Sequence, residues 1–190
     1  GVGRALVEAS ALARILEPLK GSRFVEIAER LRWADGRGES LLRVLLDDLP
    51  LTVREGNMIR PGTDEELDRL NHSIREAREW LMGLEARERE RLNIPSLKVG
   101  FNKVFGYYIE ITQQHQHKVP PEYIRKQTLA NAERYITPEM KEYETLILNA
   151  ETRIHEQEYA VFCRLRDEVN GWRVPIQAIA DGLAELDIYF

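Results

Sequence analysis

Two stretches of apolar residues spaced by threes and fours enclose a stretch that alternates by twos, and this order of periods constrains the fold more than any other feature. The first helical stretch opens at Thr63-Asp64-Glu65-Glu66, which has capping-box spacing: a side-chain oxygen followed three residues later by a glutamate able to bond back. Leu67, Leu70, Ile74, Ala77, Leu81 and Leu84 then form a heptad seam. The seam fades into Glu85-Ala86-Arg87-Glu88-Arg89-Glu90-Arg91, whose alternating charges pair across solvent on a helix. The second stretch opens at Thr137-Pro138-Glu139, an N-cap followed by a proline where its missing N–H costs nothing. Its seam is Met140, Tyr143, Ile147, Ala150, Ile154 and Val161, with Gln157 interrupting. Helices of roughly 30 residues reach about 45 Å. Neither buries a one-sided stripe alone, so the spacing predicts antiparallel arms in an elongated protein.

Between the arms the period is two. Leu97-Lys98-Val99-Gly100-Phe101 and Gly106-Tyr107-Tyr108-Ile109-Glu110-Ile111-Thr112 read as a hairpin around Asn102-Lys103. Gln113 to Pro121 reads as a polar loop, and Tyr123–Leu129 with Ala132–Ile136 as a second hairpin around Ala130-Asn131. Residues 1 to 50 read as short amphipathic helices. The first carries Leu6, Leu12, Ile15, Leu16 and Leu19, the second runs from Phe24 to Trp33, and the third holds Leu41, Leu42, Leu45 and Leu46. The fold class expected is therefore α+β and mostly α: long antiparallel lever helices carrying a small four-stranded antiparallel β domain at their tip. The divisions are core helices at 1–62, an outgoing helix at 63–96, the β domain at 97–137, a returning helix at 138–172 and a return into the core at 173–190.

The chain carries 27 Lys and Arg against 32 Asp and Glu, a net charge of −5. Residues 97–137 invert the sign: Lys98, Lys103, Lys118, Arg125, Lys126 and Arg134 stand against Glu110, Glu122 and Glu133, leaving +3 there and −8 elsewhere. A local field rather than total charge sets attraction to a polyanion, so the β tip is where one would bind. The single cysteine, Cys163, excludes an internal disulfide framework and a cysteine-rich zinc site. With no apolar run of membrane-spanning length, no signal-peptide layout and no initiator methionine, the expectation is a cytoplasmic, internal piece of a longer protein.

Two runs resemble a known family. Ser96-Leu97-Lys98-Val99-Gly100-Phe101-Asn102-Lys103-Val104-Phe105-Gly106-Tyr107-Tyr108-Ile109-Glu110-Ile111-Thr112 and Tyr123-Ile124-Arg125-Lys126-Gln127-Thr128-Leu129-Ala130-Asn131-Ala132-Glu133-Arg134-Tyr135-Ile136-Thr137-Pro138-Glu139 are similar to the clamp domain of the MutS family of DNA mismatch repair proteins. The Arg54-Glu55-Gly56 to Glu66-Leu67-Asp68 stretch and Ala184-Glu185-Leu186-Asp187 resemble the lever and core segments flanking that clamp. The resemblance implies an arm that holds double-stranded DNA by its backbone, nucleoid association when on DNA, and a whole protein that dimerises, recruits a downstream repair factor and uses ATP and Mg. No cofactor or metal is expected within these residues, since no G-x-x-x-x-G-K-[ST] occurs in the sequence. The Phe24-Val25-Glu26 triplet spells the family's mismatch-reading motif but falls in a core helix, where a three-residue match arises by chance.

For DNA contact the expected residues are Asn102, Lys103, Lys126, Asn131 and Arg134, on the reasoning that both hairpin turns project from the sheet end opposite the arms. These residues supply donors that phosphates accept. By resemblance they match backbone-contacting positions of the clamp, with Lys126 standing where an arginine is also common. Arg125, Lys98 and Lys118 rank lower, as solvated charges. Tyr107 and Tyr108 read as packing residues, and His115-Gln116-His117 as a solvated loop rather than a metal site. The alternative to DNA binding is a coiled-coil arm whose β tip docks another protein.

Overall fold

The computed structural model describes residues 1–19 and 21–188; Lys20, expected from the sequence to play no part in DNA contact, lies outside the described residues. The chain divides into two compact units, one of residues 1–65 with 155–190 and one of residues 66–154. Among the described residues, six helices, α1 (Val2–Leu16), α2 (Ser22–Arg32), α3 (Arg37–Val44), α4 (Glu65–Leu92), α5 (Pro138–Gly171) and α6 (Arg173–Asp187), accompany four strands, β1 (Lys98–Asn102), β2 (Gly106–Thr112), β3 (Ile124–Thr128) and β4 (Ala132–Ile136). This is the mostly helical α+β class that the periods predict.

In the helical unit, Leu6, Ala9, Ala13 and Leu16 of α1 pack with Ile27, Ala28 and Leu31 of α2, Leu41 of α3, and Ile179 and Leu186 of α6. The stripe on α1 is narrower than the sequence implies, because Ile15 faces solvent and two alanines supply the buried turns. Alanines let helices approach closely. Trp33 meets Trp172 edge-on, with ring centroids 5.7 Å apart, and the Arg37 guanidinium lies 4.2 Å over the Trp33 ring. After α3 the chain makes an isolated antiparallel bridge between Leu45 and Ile59.

In the β unit, α4 buries its whole heptad seam, Leu67, Leu70, Ile74, Ala77, Leu81 and Leu84. Leu70 and Ile74 cluster with Ala150, and Ala77 and Leu81 with Ile147, so α4 and α5 run antiparallel within this unit. Trp80 and Tyr143 stack at 4.1 Å between them. Helix α4 ends in a Schellman motif: Asn93 takes a left-handed φ of 51°, its N–H bonds Glu90 O at 3.2 Å, and the Ile94 N–H bonds Arg89 O at 3.1 Å. Ile94 is fully buried, and Pro95 follows. At the start of α5, the Thr137 hydroxyl accepts the Met140 N–H at 3.1 Å, the N-cap that the sequence predicts.

The sheet is antiparallel throughout, in the order β1-β2-β4-β3. Its inner face presents Ile109, Ile111 and Tyr135 to Leu84, Ile94, Leu97 and Met140. This order corrects one expectation. Because β2 pairs with β4 rather than with β3, Thr112 sits beside Ala132 and Ile109 beside Tyr135, so the 129–131 turn lies at the end of β2 and the 103–105 turn at its beginning. The two turns occupy opposite ends of the sheet. Only a sheet ordered along the sequence would have placed them together.

Candidate nucleic-acid interface

One end of the sheet is formed by the end of β2, the short 3-10 turn Gln113–Lys118, the 129–131 turn and the residues capping α4. The Gln113 N–H bonds Asn131 O at 3.0 Å, and its side-chain amide bonds Ala130 O at 3.1 Å, which fixes the 129–131 turn against the 3-10 turn. Lys118 Nζ donates to the Asn93 carbonyl at 2.8 Å, tying that cation to the Schellman cap. Lys98 opens β1 opposite Glu110, at this same end. Thus Lys98, Lys118 and Asn131 share one end of the module. Their convergence depends on pairing between segments far apart in the chain, which no local pattern reports.

At the other end, the Asn102 side-chain oxygen accepts the Val104 N–H at 2.7 Å, an Asx turn that presents Lys103 to solvent. The Lys141 ammonium, on α5, reaches Phe105 O at 2.9 Å, which holds this turn beside the helices. The ends are separated by the seven residues of β2, or about 23 Å at 3.3 Å per residue. Lys126 sits where the β3–β4 register shifts, on the exposed edge strand. Among the described residues, Lys98, Lys103 and Lys126 make no ion pair.

Arg134 is differently engaged. Its Nε donates to Glu110 at 2.8 Å, its Nη1 donates to Gln127 at 3.0 Å, and its guanidinium lies 4.2 Å over the Tyr108 ring. Lys98, Glu110, Arg134 and Gln127 form one row across the outer face in strand order, and Arg134 ties its own strand β4 to β2 on one side and to the edge strand β3 on the other. Its side chain is 21% exposed. Arg125 is likewise held, donating to Glu133 at 3.0 Å.

Glu133 is a buried carboxylate on the inner face. The Tyr135 hydroxyl donates to it, and this bond, with help from Arg125 and against the opposing push of burial, holds the carboxyl below the ordinary carboxylate range. Burial, together with the same partnership, pushes Tyr135 up to about 12, so its hydroxyl stays protonated as a donor at neutral pH. A depressed carboxyl contributes stability that is present above its unfolded value and lost as pH falls through its folded value. The β unit is therefore expected to weaken on acidification, and Glu133→Gln to flatten the acid limb of the stability profile. Denaturant midpoints followed across that limb check this; a Glu133→Gln limb as steep as the parent's contradicts it.

Among the described residues no group of three His, Cys, Asp or Glu side chains is placed to hold a metal, and no helix is long and apolar enough to cross a membrane.

A small antiparallel sheet, basic on its exposed edges and seated on two antiparallel helices, defines the β unit as a helix-borne β module. Residues 62–153 match the family model described as MutS family domain IV. DNA mismatch repair proteins MutS from Synechococcus sp. (strain JA-2-3B'a(2-13)), 49% identical over 153 residues, and from Geobacillus kaustophilus, 44% identical over 186 residues, align with 80% and 97% of the chain. The protein of the same description from Lactobacillus helveticus is 46% identical over 165 residues, or 86% of the chain. The chain belongs to the MutS family, and it spans about a fifth of the length of these curated relatives, between 17% and 21%.

Proposed function

We propose that the β unit holds duplex DNA through its sugar-phosphate backbone, as the clamp of a DNA mismatch repair protein, without reading base sequence. The observation that carries this is a positively charged sheet, on a MutS domain IV, whose Lys98, Lys103 and Lys126 have no ion-pair partner among the described residues. Lys118, Asn131 and Lys98 form the principal contact edge, with Lys126 on the flanking strand. Asn102 and Lys103 form a second contact about 23 Å away. Arg134 and Arg125 serve mainly to hold the sheet that carries these donors. Mismatch reading, ATP hydrolysis with Mg, dimerisation and recruitment of a downstream repair factor are assigned in this reading to segments other than these 190 residues, in a cytoplasmic protein that joins the nucleoid when on DNA.

Phosphate contacts position a protein and base contacts specify sequence, so the 190-residue chain is expected to bind perfect and mismatched duplexes equally and to lose affinity steeply with salt. Lys118→Ala, Lys126→Ala and Lys103→Ala should each weaken both duplexes and lower the log-log salt slope by about 0.9 for every phosphate no longer neutralised. Arg78→Ala should do neither, since Arg78 pairs with Glu151 between the helices at 2.9 Å. Lysine variants that bind as well as the parent would sink the backbone clamp and leave the protein-docking arm in its place.

A further inference from the structure

The segment Arg54-Glu55-Gly56-Asn57-Met58-Ile59, conspicuous in sequence and outside the β unit, has a physical role that DNA binding does not explain. Three successive main-chain N–H groups converge there on one carboxylate of α5. Asn57 N donates to Glu158 Oε2 at 2.6 Å, and Met58 N and Ile59 N donate to Glu158 Oε1 at 3.0 and 3.3 Å. Successive amides turn toward one point only where the backbone leaves extended and helical conformations, and Gly56 and Asn57 have φ values of +70° and +58°. Gly56 also leaves no room for a side chain: a Cβ there would lie 2.7 Å from His155 Nδ1 and 2.9 Å from Glu158 Oε2. Glu158 is 5% exposed, so these amides replace the water it gave up on burial.

We propose that the main chain of Gly56–Ile59 is an anion site selective for a carboxylate, with Glu158 as its resident ligand, and that the pair forms a clasp fastening α5 to the segment leading into α4. The donors are all main-chain amides, so the site discriminates by charge and size and accepts a free small carboxylate once its own is removed. Two neighbouring contacts act in the same direction: Gln157 Nε2 donates to both Asp64 carboxylate oxygens at 3.1 Å, and Arg164 pairs with Asp64 at 3.2 Å. Glu158 is thus a positioning residue for the start of α4, acting through residues 57–59.

The test is amide hydrogen exchange at residues 57, 58 and 59 of the whole 190-residue chain, in sodium chloride and in sodium formate of equal ionic strength. Glu158→Ala should speed exchange at these three amides by about 100-fold, the effect expected when charge-assisted bonds are removed from donors that are buried at residues 58 and 59 and part-buried at residue 57. Formate should restore part of that protection in Glu158→Ala and none beyond the starting level in the parent. Glu158→Gln, which keeps the side-chain volume and one acceptor, should speed exchange by about 10-fold and respond little to formate. The proposal is overturned if either variant leaves the three amides exchanging as in the parent, or if formate protects Glu158→Ala no more than chloride does. Should Glu158→Ala fail to fold, parent-like exchange in Glu158→Gln overturns it by itself.

Discussion

A peptide of residues 97–137 cut free of the chain is expected to be unstructured in water, although it contains every residue of the sheet. Its inner face, Ile109, Ile111 and Tyr135, is covered by Leu84 of α4, Ile94 just past that helix and Met140 from the start of α5, all nearly inaccessible to solvent. Burying three such side chains is worth roughly 5–9 kcal/mol, comparable to the whole stability of a small domain. The peptide loses that cover and keeps the entropy cost of ordering its strands. Residues 66–154, which restore the cover, are expected to fold. Circular dichroism and amide proton dispersion distinguish the two, and a dispersed spectrum from the short peptide would show the sheet to be self-sufficient.

Gly38→Val is expected to be the most damaging single substitution in the helical unit. Helices α1 and α3 cross so closely there that a Cβ would stand 2.6 Å from the Gly3 carbonyl oxygen and 2.7 Å from the Val7 amide nitrogen. Both are backbone atoms of a helix, so relief requires moving α1 as a body and opening the packing of Leu6 and Leu41. Overpacking of this kind costs about 3 kcal/mol or more, which corresponds to a fall of roughly 10 °C in Tm for a chain of this size. Gly171→Ala, at the end of α5 with open space around it, should change stability by less than about 1 kcal/mol. Equal melting temperatures for the two variants would contradict the close crossing.

The arms were legible because their signal is local and redundant. Six seam residues of α4 repeat the same message, and Thr137 declares the start of α5 in three residues. The strands followed from alternation, with Gly106–Thr112 and Ala132–Ile136 found at their observed limits. The order of the strands did not follow, since β3 and β4 are each amphipathic enough to lie beside β2 and the choice rests on burial of Tyr135 against Ile109 rather than on either sequence run. That choice moves Asn102 and Lys103 away from Asn131, so the sequence names candidate donors without showing which of them share a surface. Arg134 shows the same limit, because a lone arginine on a strand reads as a free donor until its neighbour across the sheet proves to be Glu110. Glu158 escaped notice because it sits one position beside the seam, where a glutamate ordinarily faces water.

The division of the chain sets an order of events during synthesis. The β unit is one uninterrupted stretch, Glu66–Ile154, whereas the helical unit is assembled from the two ends of the chain. Ile27 and Leu31 of α2 share their cluster with Ile179 and Leu186 of α6, so the first three helices leave the ribosome with part of their core missing. At about 5–20 residues per second the β unit takes on the order of ten seconds to make, and α6 follows only after it. Throughout that interval the apolar stripe of α1 and α2 lacks its last partner, whereas the β unit has all of its own once Ile154 is made, before α6 appears. Within this stretch the apolar stripe of α1 and α2 is therefore exposed to aggregation and to chaperone capture for longer than any surface of the β unit, and the sheet matures before it.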